Sequence, residues 1–171
     1  MTEDQGASPN EQMLSFCRND QEEDLIKLFE EKGVLNEDGE GKCDLSYTNG
    51  VGNTAAHIAA ESGSIGCLET LANEGINLDI RNKLRGETAL HLAVKHAVDD
   101  PEMAYTMVEF LLECHADPAI TDCDGLTPVQ RINPKFEAIK SLFHRASIDI
   151  DDSDIPNDDE VDDDGSASQS D

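Results

Sequence analysis

The sequence predicts an all-α solenoid, in which antiparallel helix pairs stack and each pair buries its apolar face against the next. Two closely similar segments lie thirty-four residues apart, Thr54–Ala60 (TAAHIAA) and Thr88–Val94 (TALHLAV). A third, diverged copy begins at Thr127. A period of this length is typical of stacked repeat proteins, whose extended surfaces bind other molecules.

Polar residues open the chain, and a helix pair follows them. We expect residues 1–10 to be disordered and residues 11–35 to form a degenerate first repeat, because two apolar segments flank an acidic turn at 20–23. Residues 36–42 (NEDGEGK) are too polar and too rich in glycine for a helix or strand, so they are predicted to form a loop.

The second repeat, residues 47–79, contains the clearest helix pair. Thr54 is placed to cap the first helix, with its hydroxyl accepting a hydrogen bond from a free backbone amide. The four alanines that follow between 55 and 60 keep this helix thin, so that a neighbouring helix can approach closely. Gly63 and Gly75 are predicted to end the two helices.

The third repeat, residues 82–117, follows the same scheme but is longer between its two helices. His91 and Asp117 are 26 positions apart, whereas His57 and the equivalent Asn77 are 20 apart. The six additional residues include an Asp-Pro pair at 100–101, which is a strong helix start. We therefore expect an ordered extension of the repeat.

The fourth repeat, residues 122–145, is short and has a polar outer face, as a terminal capping repeat requires. The repeat domain is thus predicted to span residues 11–146. Residues 147–171 are rich in Asp and are predicted to be a disordered acidic tail.

These segments resemble the ankyrin repeat. The Thr-Pro-Leu-His-x-Ala opening of that family is matched at 54–59 and 88–93, with Ala in place of Pro in both and Ala56 in place of Leu in the first. Its Asp-x-x-Gly-x-Thr-Pro hairpin is matched at 122–128. The resemblance implies an L-shaped stack with β-hairpin fingers. It also implies that Thr54, Thr88 and Thr127 open helices and that His57 and His91 tie neighbouring repeats together, while Gln130 replaces that histidine in the fourth repeat.

The distribution of charge argues against two classes of partner. Of the net charge of −26, residues 1–46 carry −9 and residues 147–171 carry −11 without a single Lys or Arg. Affinity for a nucleic-acid backbone or an anionic membrane comes mainly from cationic side chains. We therefore expect neither direct nucleic-acid binding nor membrane binding.

The five cysteines indicate a reducing compartment. Their number is odd and they contain no CxxC pair, which argues against a disulfide framework and against a zinc site. The chain begins with neither a basic flank nor an apolar run, and no stretch approaches the roughly 20 apolar residues of a membrane span. We expect an intracellular protein of the cytoplasm, the nucleus or both.

No motif indicates catalysis or a cofactor. The chain has no nucleophile, histidine and acid in a catalytic order, no glycine-rich phosphate loop and no paired-carboxylate motif, so we expect no catalytic residues. His96 with Asp99 and Asp100 is the nearest approach to a metal site, but a solvated turn is the favoured explanation of these residues. We expect no bound metal and no cofactor.

The candidate binding residues lie between the second and third repeats. Arg81, Lys83 and Arg85 place three of the twelve basic residues within five positions, at what the resemblance makes a finger tip. Glu61, Lys95 and His96 would complete a concave binding face. The alternative is that these are ordinary charges of a solvated hairpin.

The functional prediction is a non-enzymatic adaptor or escort for a protein partner, acting as a monomer. The acidic tail suggests a basic partner such as a ribosomal protein or histone, or else it folds back onto the basic finger, or it only increases solubility. Residues 147–152 (SIDIDD) also resemble a short strand that adds to the sheet of ubiquitin-like modifiers. The alternative function is a regulatory subunit or inhibitor of an enzyme, bound through the concave face.

Overall fold

The computed structural model describes the backbone of residues 6–151 and the side chains of residues 6–147. Within that range the chain forms eight helices and no β strands. In order, they are α1 (Pro9–Arg18), α2 (Glu22–Lys32), α3 (Ala55–Ser62), α4 (Ile65–Asn73), α5 (Ala89–His96), α6 (Pro101–Glu113), α7 (Pro128–Arg131) and α8 (Glu137–Asp151). The predicted all-α fold class is confirmed.

The helices pack in two layers. Helices α1, α3, α5 and α7 contact one another in sequence and form the inner layer, while α2, α4, α6 and α8 form the outer layer in the same way. The core is mainly aliphatic, with Phe29 and Phe143 as its buried aromatic residues, and all four alanines between 55 and 60 are at most 1% exposed. Small side chains on α3 therefore let α1 and α5 approach it closely on either side.

The six-residue extension of the third repeat is ordered, as the sequence predicts. Asp100 caps α6, since its carboxylate accepts hydrogen bonds from the amides of Glu102 (3.1 Å) and Met103 (3.0 Å). Pro101 occupies the first helical position, where a missing N–H costs nothing. Compared with the second repeat, the extension adds two residues to the loop between the helices and four residues, about one turn, to the start of the outer helix α6.

The predicted β-hairpin fingers form as hydrogen-bonded turns instead of strands. Among the described residues, the only β pairing is an isolated bridge between Val34 and Cys43. Each finger closes with one backbone hydrogen bond between its first and last residues, for example from the Asn82 amide to the Glu87 carbonyl (2.8 Å). Fingers this short have no room for the further pairs that make a β ladder.

The ordered region extends beyond the predicted domain limits at both ends. Helix α1 begins at Pro9 because Ser8 and Glu11 form a reciprocal cap, in which the Ser8 amide donates to the Glu11 carboxylate (2.8 Å). Helix α8 continues to Asp151, so residues 147–151 are helical and do not form the strand that the modifier-binding motif requires. Residues 1–5 and 152–171 lie outside the described range, and their disorder stays a prediction.

Candidate functional site

Three fingers lie in a row where an outer helix, or the loop that follows it, leads into the next inner helix. We call them finger 1 (49–53), finger 2 (82–87) and finger 3 (122–126). Each is organised by the side chain of its first residue, Asn or Asp, whose oxygen accepts from two backbone amides of the same finger. The amide and carboxylate side chains mimic a backbone turn, which explains why these residue types occupy the position.

Finger 2 is the longest of the three and presents the most exposed side chains. It spans six residues, one more than fingers 1 and 3, and its tip residues Lys83, Leu84 and Arg85 are all exposed. Leu84 is 68% exposed, and the neighbouring Val51 of finger 1 is 41% exposed. The tip therefore combines two cations with unburied apolar surface, a composition that favours contact with another protein.

Hydrogen bonds join the fingers into one continuous row. The Val51 carbonyl accepts from the amides of Lys83 (3.2 Å) and Leu84 (3.3 Å), and the Arg85 carbonyl accepts from the amide of Cys123 (2.8 Å). Finger 2 is thus held from both sides. Its exposed side chains project from a fixed backbone, so partner binding there would cost less conformational entropy.

The repeated histidines connect each inner helix to the next finger. Nδ1 of His57 accepts from the Thr54 amide (3.1 Å), so the ring proton is on Nε2, which donates to the Glu87 carbonyl (2.9 Å). His91 repeats this arrangement with Thr88 (3.2 Å) and the Leu126 carbonyl (3.0 Å).

Burial disfavours the charged imidazolium, and it lowers the pKa of both His57 and His91 despite the hydrogen bonds to backbone carbonyls. Both rings are therefore neutral framework groups and are at most 1% exposed.

The basic residues of finger 2 and the preceding Arg81 have no acidic partner among the described residues. Nε of Arg81 donates to the Gly86 carbonyl (3.1 Å), which lays the side chain across the base of the finger without an acidic partner. No ion pair of the described residues includes Lys83 or Arg85. In finger 3, by contrast, Arg131 pairs with both acidic residues, Asp122 and Asp124. The row of fingers is therefore positive at its centre.

Arg81 lies at the base of finger 2 and not at the tip where it was predicted. Glu61, Lys95 and His96 also lie away from the tip. Lys95 reaches back along α5 to the buried carboxylate of Glu87 (3.1 Å), and Nδ1 of His96 lies 3.1 Å from the Glu61 carbonyl oxygen at the end of α3. Lys95 is thereby directed towards the base of finger 2, whereas Glu61 and His96 form a separate contact at the far ends of the inner helices.

Two apolar residues of the surface, Val51 and Leu84, were not among the predicted site residues. The signal for Leu84 was present in the spacing, since Asn82 precedes Thr88 by six positions, whereas Asn49 precedes Thr54 by five and Asp122 precedes Thr127 by five. Finger 1 has the ordinary length, so the spacing gave no signal for Val51. An additional residue in a turn must protrude, and an apolar residue at its centre must then meet solvent or a partner.

Neither a metal site nor a membrane-crossing helix occurs in the part of the chain that the structure describes. No three or more His, Cys, Asp or Glu side chains of residues 6–147 are grouped to hold a metal ion. Of the residues considered above as a weak metal site, His96, Asp99 and Asp100, the Asp100 carboxylate already caps α6. Within 6–151, every helix is too short or too polar to cross a bilayer.

Comparison with known proteins agrees with the geometry. A family model described as ankyrin repeats (three copies) matches residues 13–122. The chain is 28% identical to an ankyrin repeat-containing protein of Saccharomyces cerevisiae over 152 residues, which cover 86% of this chain and 82% of the yeast protein.

Two further relatives have more specific names. Protein phosphatase 1 regulatory subunit 27 of Homo sapiens is 28% identical over 63% of this chain and 66% of its own length. The nuclear factor NF-kappa-B p105 subunit of Gallus gallus is 34% identical over half of this chain, but the match covers only 8% of that protein.

Proposed function

Because the chain belongs to the ankyrin repeat family, whose repeats are modules for protein–protein interaction, we propose that it is a non-enzymatic adaptor that binds a protein partner through finger 2. The observation that carries the proposal is the exposed group formed by Lys83, Leu84 and Arg85, flanked by Val51. This surface suits a partner segment that combines acidic and apolar side chains. The apolar contacts contribute affinity, and the charges contribute orientation and a faster association rate.

The experiment is quantitative affinity purification with three forms of the full chain. The wild type is compared with a finger variant, Lys83→Glu with Arg85→Glu, and with a control variant of equal charge change, Lys27→Glu with Lys42→Glu. Lys27 forms only an exposed ion pair with Asp24, which contributes little stability. A partner that the finger variant loses and the control variant retains supports the proposal, whereas equal recovery by both variants contradicts it.

If the protein acts as an escort for basic proteins, the acidic residues after α8 should also contribute to partner binding. Of residues 152–171, nine are Asp or Glu and none is Lys or Arg. Binding that depends on them should weaken as salt rises, since the Debye length falls to about 8 Å at physiological ionic strength. The truncation that tests this should begin at residue 152, because removing 147–151 would shorten α8.

A second candidate function is regulation of an enzyme. It is favoured by the relative named protein phosphatase 1 regulatory subunit 27. In this case the chain should co-purify in a fixed ratio with one enzyme and change that enzyme's activity, and removal of residues 152–171 should leave the complex intact. Salt-sensitive recovery of several basic proteins, lost on truncation, would instead favour the escort.

A further inference from the structure

A groove of about 700 Å³ lies outside the row of fingers, between the loop of the first repeat and the end of α4. Its apolar lining residues are Val34, Leu35, Leu45 and Ile80. Leu35 is 45% exposed. Val34 and Leu45 pack against the core on one side and line the groove on the other. The groove therefore offers apolar surface that the repeat stack itself does not cover.

A missing contact between the first and second repeats explains why the groove is open. Asp44, Asn77 and Asp117 occupy equivalent turns, since each accepts a hydrogen bond from the amide two residues later. Between the second and third repeats, the Asp117 amide also donates to the Asp79 carboxylate (2.8 Å) and closes the gap.

In the first repeat, Ser46 takes the place of Asp79. Its hydroxyl donates instead to Asp44 of its own turn (2.6 Å). Among the described residues, no hydrogen bond connects Ser46 with Asn77, so the two loops stay apart.

The charged residues of the groove all have the same sign. Glu37, Asp44 and Glu74 line it, and no Lys, Arg or His does. Glu37 and Glu74 are exposed, and neither takes part in an ion pair of the described residues. Since residues 6–46 carry 11 Asp or Glu and 4 Lys or Arg, a net charge of −7, the groove lies in a strongly negative part of the surface.

We propose that this groove binds a basic segment of a protein partner. An apolar side chain of the segment contacts Leu35 and Ile80, and Lys or Arg residues on either side of it contact Glu37 and Glu74. Charge complementarity selects this occupant, because the acidic residues after α8 and any nucleic acid carry the same sign as the groove. Together with finger 2, the groove gives the protein two separate binding surfaces of opposite charge.

The test measures binding of a defined probe to the full chain by fluorescence anisotropy at moderate salt, where charges more than about 10 Å away are largely screened. The probe is a fluorescein-labelled peptide, Gly-Lys-Arg-Leu-Lys-Arg-Gly, and its charge-inverted counterpart is Gly-Glu-Asp-Leu-Glu-Asp-Gly. We expect the basic peptide to bind in the groove, whereas any binding of the acidic peptide should depend on finger 2 and be lost with Lys83→Glu and Arg85→Glu. Glu37→Lys with Glu74→Lys should weaken binding at least about tenfold, because two close charge contacts become repulsive.

Matched variants distinguish binding in the groove from a general electrostatic attraction of the basic peptide to an acidic protein. Glu69→Lys with Glu113→Lys changes two exposed acidic residues outside the groove by the same charge and should weaken binding by less than about twofold at moderate salt. Leu35→Ser should weaken binding of the Leu-containing peptide but not of the same peptide with Gly in place of Leu.

Three results would overturn the proposal. The first is that Glu37→Lys with Glu74→Lys and Glu69→Lys with Glu113→Lys weaken binding of the basic peptide equally. The second is that the finger 2 variant, Lys83→Glu with Arg85→Glu, loses binding of the basic peptide. The third is self-association in sedimentation that Leu35→Ser abolishes, which would show that a second copy of the chain fills the groove. Variants are compared only after circular dichroism shows that they are folded.

Discussion

Nε2 of His57, in the second repeat, donates to the backbone carbonyl of Glu87, which closes finger 2 thirty residues later, at 2.9 Å. The same ring is oriented by the Thr54 amide at its Nδ1. One side chain therefore joins a helix cap to the base of the finger that carries the candidate binding residues. Changes at His57 should affect stability and finger geometry together.

Replacing His57 with Ala should lower the free energy of unfolding by about 2–4 kcal/mol, because it leaves buried polar groups unpaired and opens a cavity. Urea unfolding followed by circular dichroism measures the change. His144→Ala is the control, since His144 is exposed on α8, and it should cost less than about 0.5 kcal/mol. Equal midpoints for the two variants would contradict the assigned role of His57.

Stability should fall as pH is lowered below 6.5. The pKa values of His57 and His91 lie below their ordinary value of 6.5, so the unfolded chain takes up protons first. The stabilisation is therefore complete above pH 6.5 and is lost as pH falls towards the folded-state pKa values.

Unfolding in urea at pH 7.5, 6.5 and 5.5 tests this. The variant with His57→Gln and His91→Gln should show a flatter dependence, since Gln130 already makes the helix-capping contact with the Thr127 amide in the fourth repeat (2.9 Å). If the unfolding free energy of that variant depends on pH as steeply as that of the wild type, groups other than His57 and His91 cause the pH effect.

Gly52→Ala should separate fingers 1 and 2. Gly52 has a φ of +83°, and an added Cβ would lie 2.5 Å from the backbone nitrogen of Lys83, which donates to Val51. We expect a loss of about 1–3 kcal/mol. Gly125→Ala is the matched control in finger 3, because its φ is similar (+74°) but nothing lies within 4 Å of its added Cβ. An equal loss for Gly125→Ala would show that backbone strain, not the contact with Lys83, determines the effect.

Asp100→Ala should lower stability by about 1 kcal/mol, since it removes the cap of α6. The neighbouring Asp99 is also exposed but makes no side-chain hydrogen bond among the described residues, so Asp99→Ala provides a control with the same change of charge. Thermal unfolding compares the two variants. Similar melting temperatures would mean that the Asp100 cap contributes nothing.

Cys123 should react much faster with a thiol reagent than the other cysteines. It is exposed in finger 3, Cys114 is partly buried, and Cys17, Cys43 and Cys67 are buried. Burial also raises the pKa of Cys43 and Cys114, which lowers the fraction of reactive thiolate. Colorimetric thiol titration should show one fast group in native protein and five in denaturant, and Cys123→Ser should abolish the fast phase. Several fast groups in the native chain would contradict the described packing.

Much of the fold could be predicted because its signals are local. The Thr54 and Thr88 segments repeat both the cap and the spacing of buried residues, and these depend on neighbours within one helical turn. The domain limits were harder to predict from the sequence, because the start of α1 depends on a single cap at Ser8 within a polar segment.

Of the candidate site, Arg81, Lys83 and Arg85 were predicted from the density of basic residues. Their surroundings were not, because whether a charge is neutralised depends on partners distant in sequence. Lys95 is engaged by Glu87, and no ion pair of the described residues includes Lys83.

By itself, the sequence determined the repeat, the helix pairs, the caps and the basic segment between repeats, since each follows from residues close together in the chain. Only the tertiary structure decided which loops are joined and which stay apart. The Asp117 amide meets Asp79, while Ser46 bonds within its own turn and leaves a groove. The physical reason is that such contacts require groups more than thirty residues apart to meet within about 3 Å, a condition set by the packing of whole repeats.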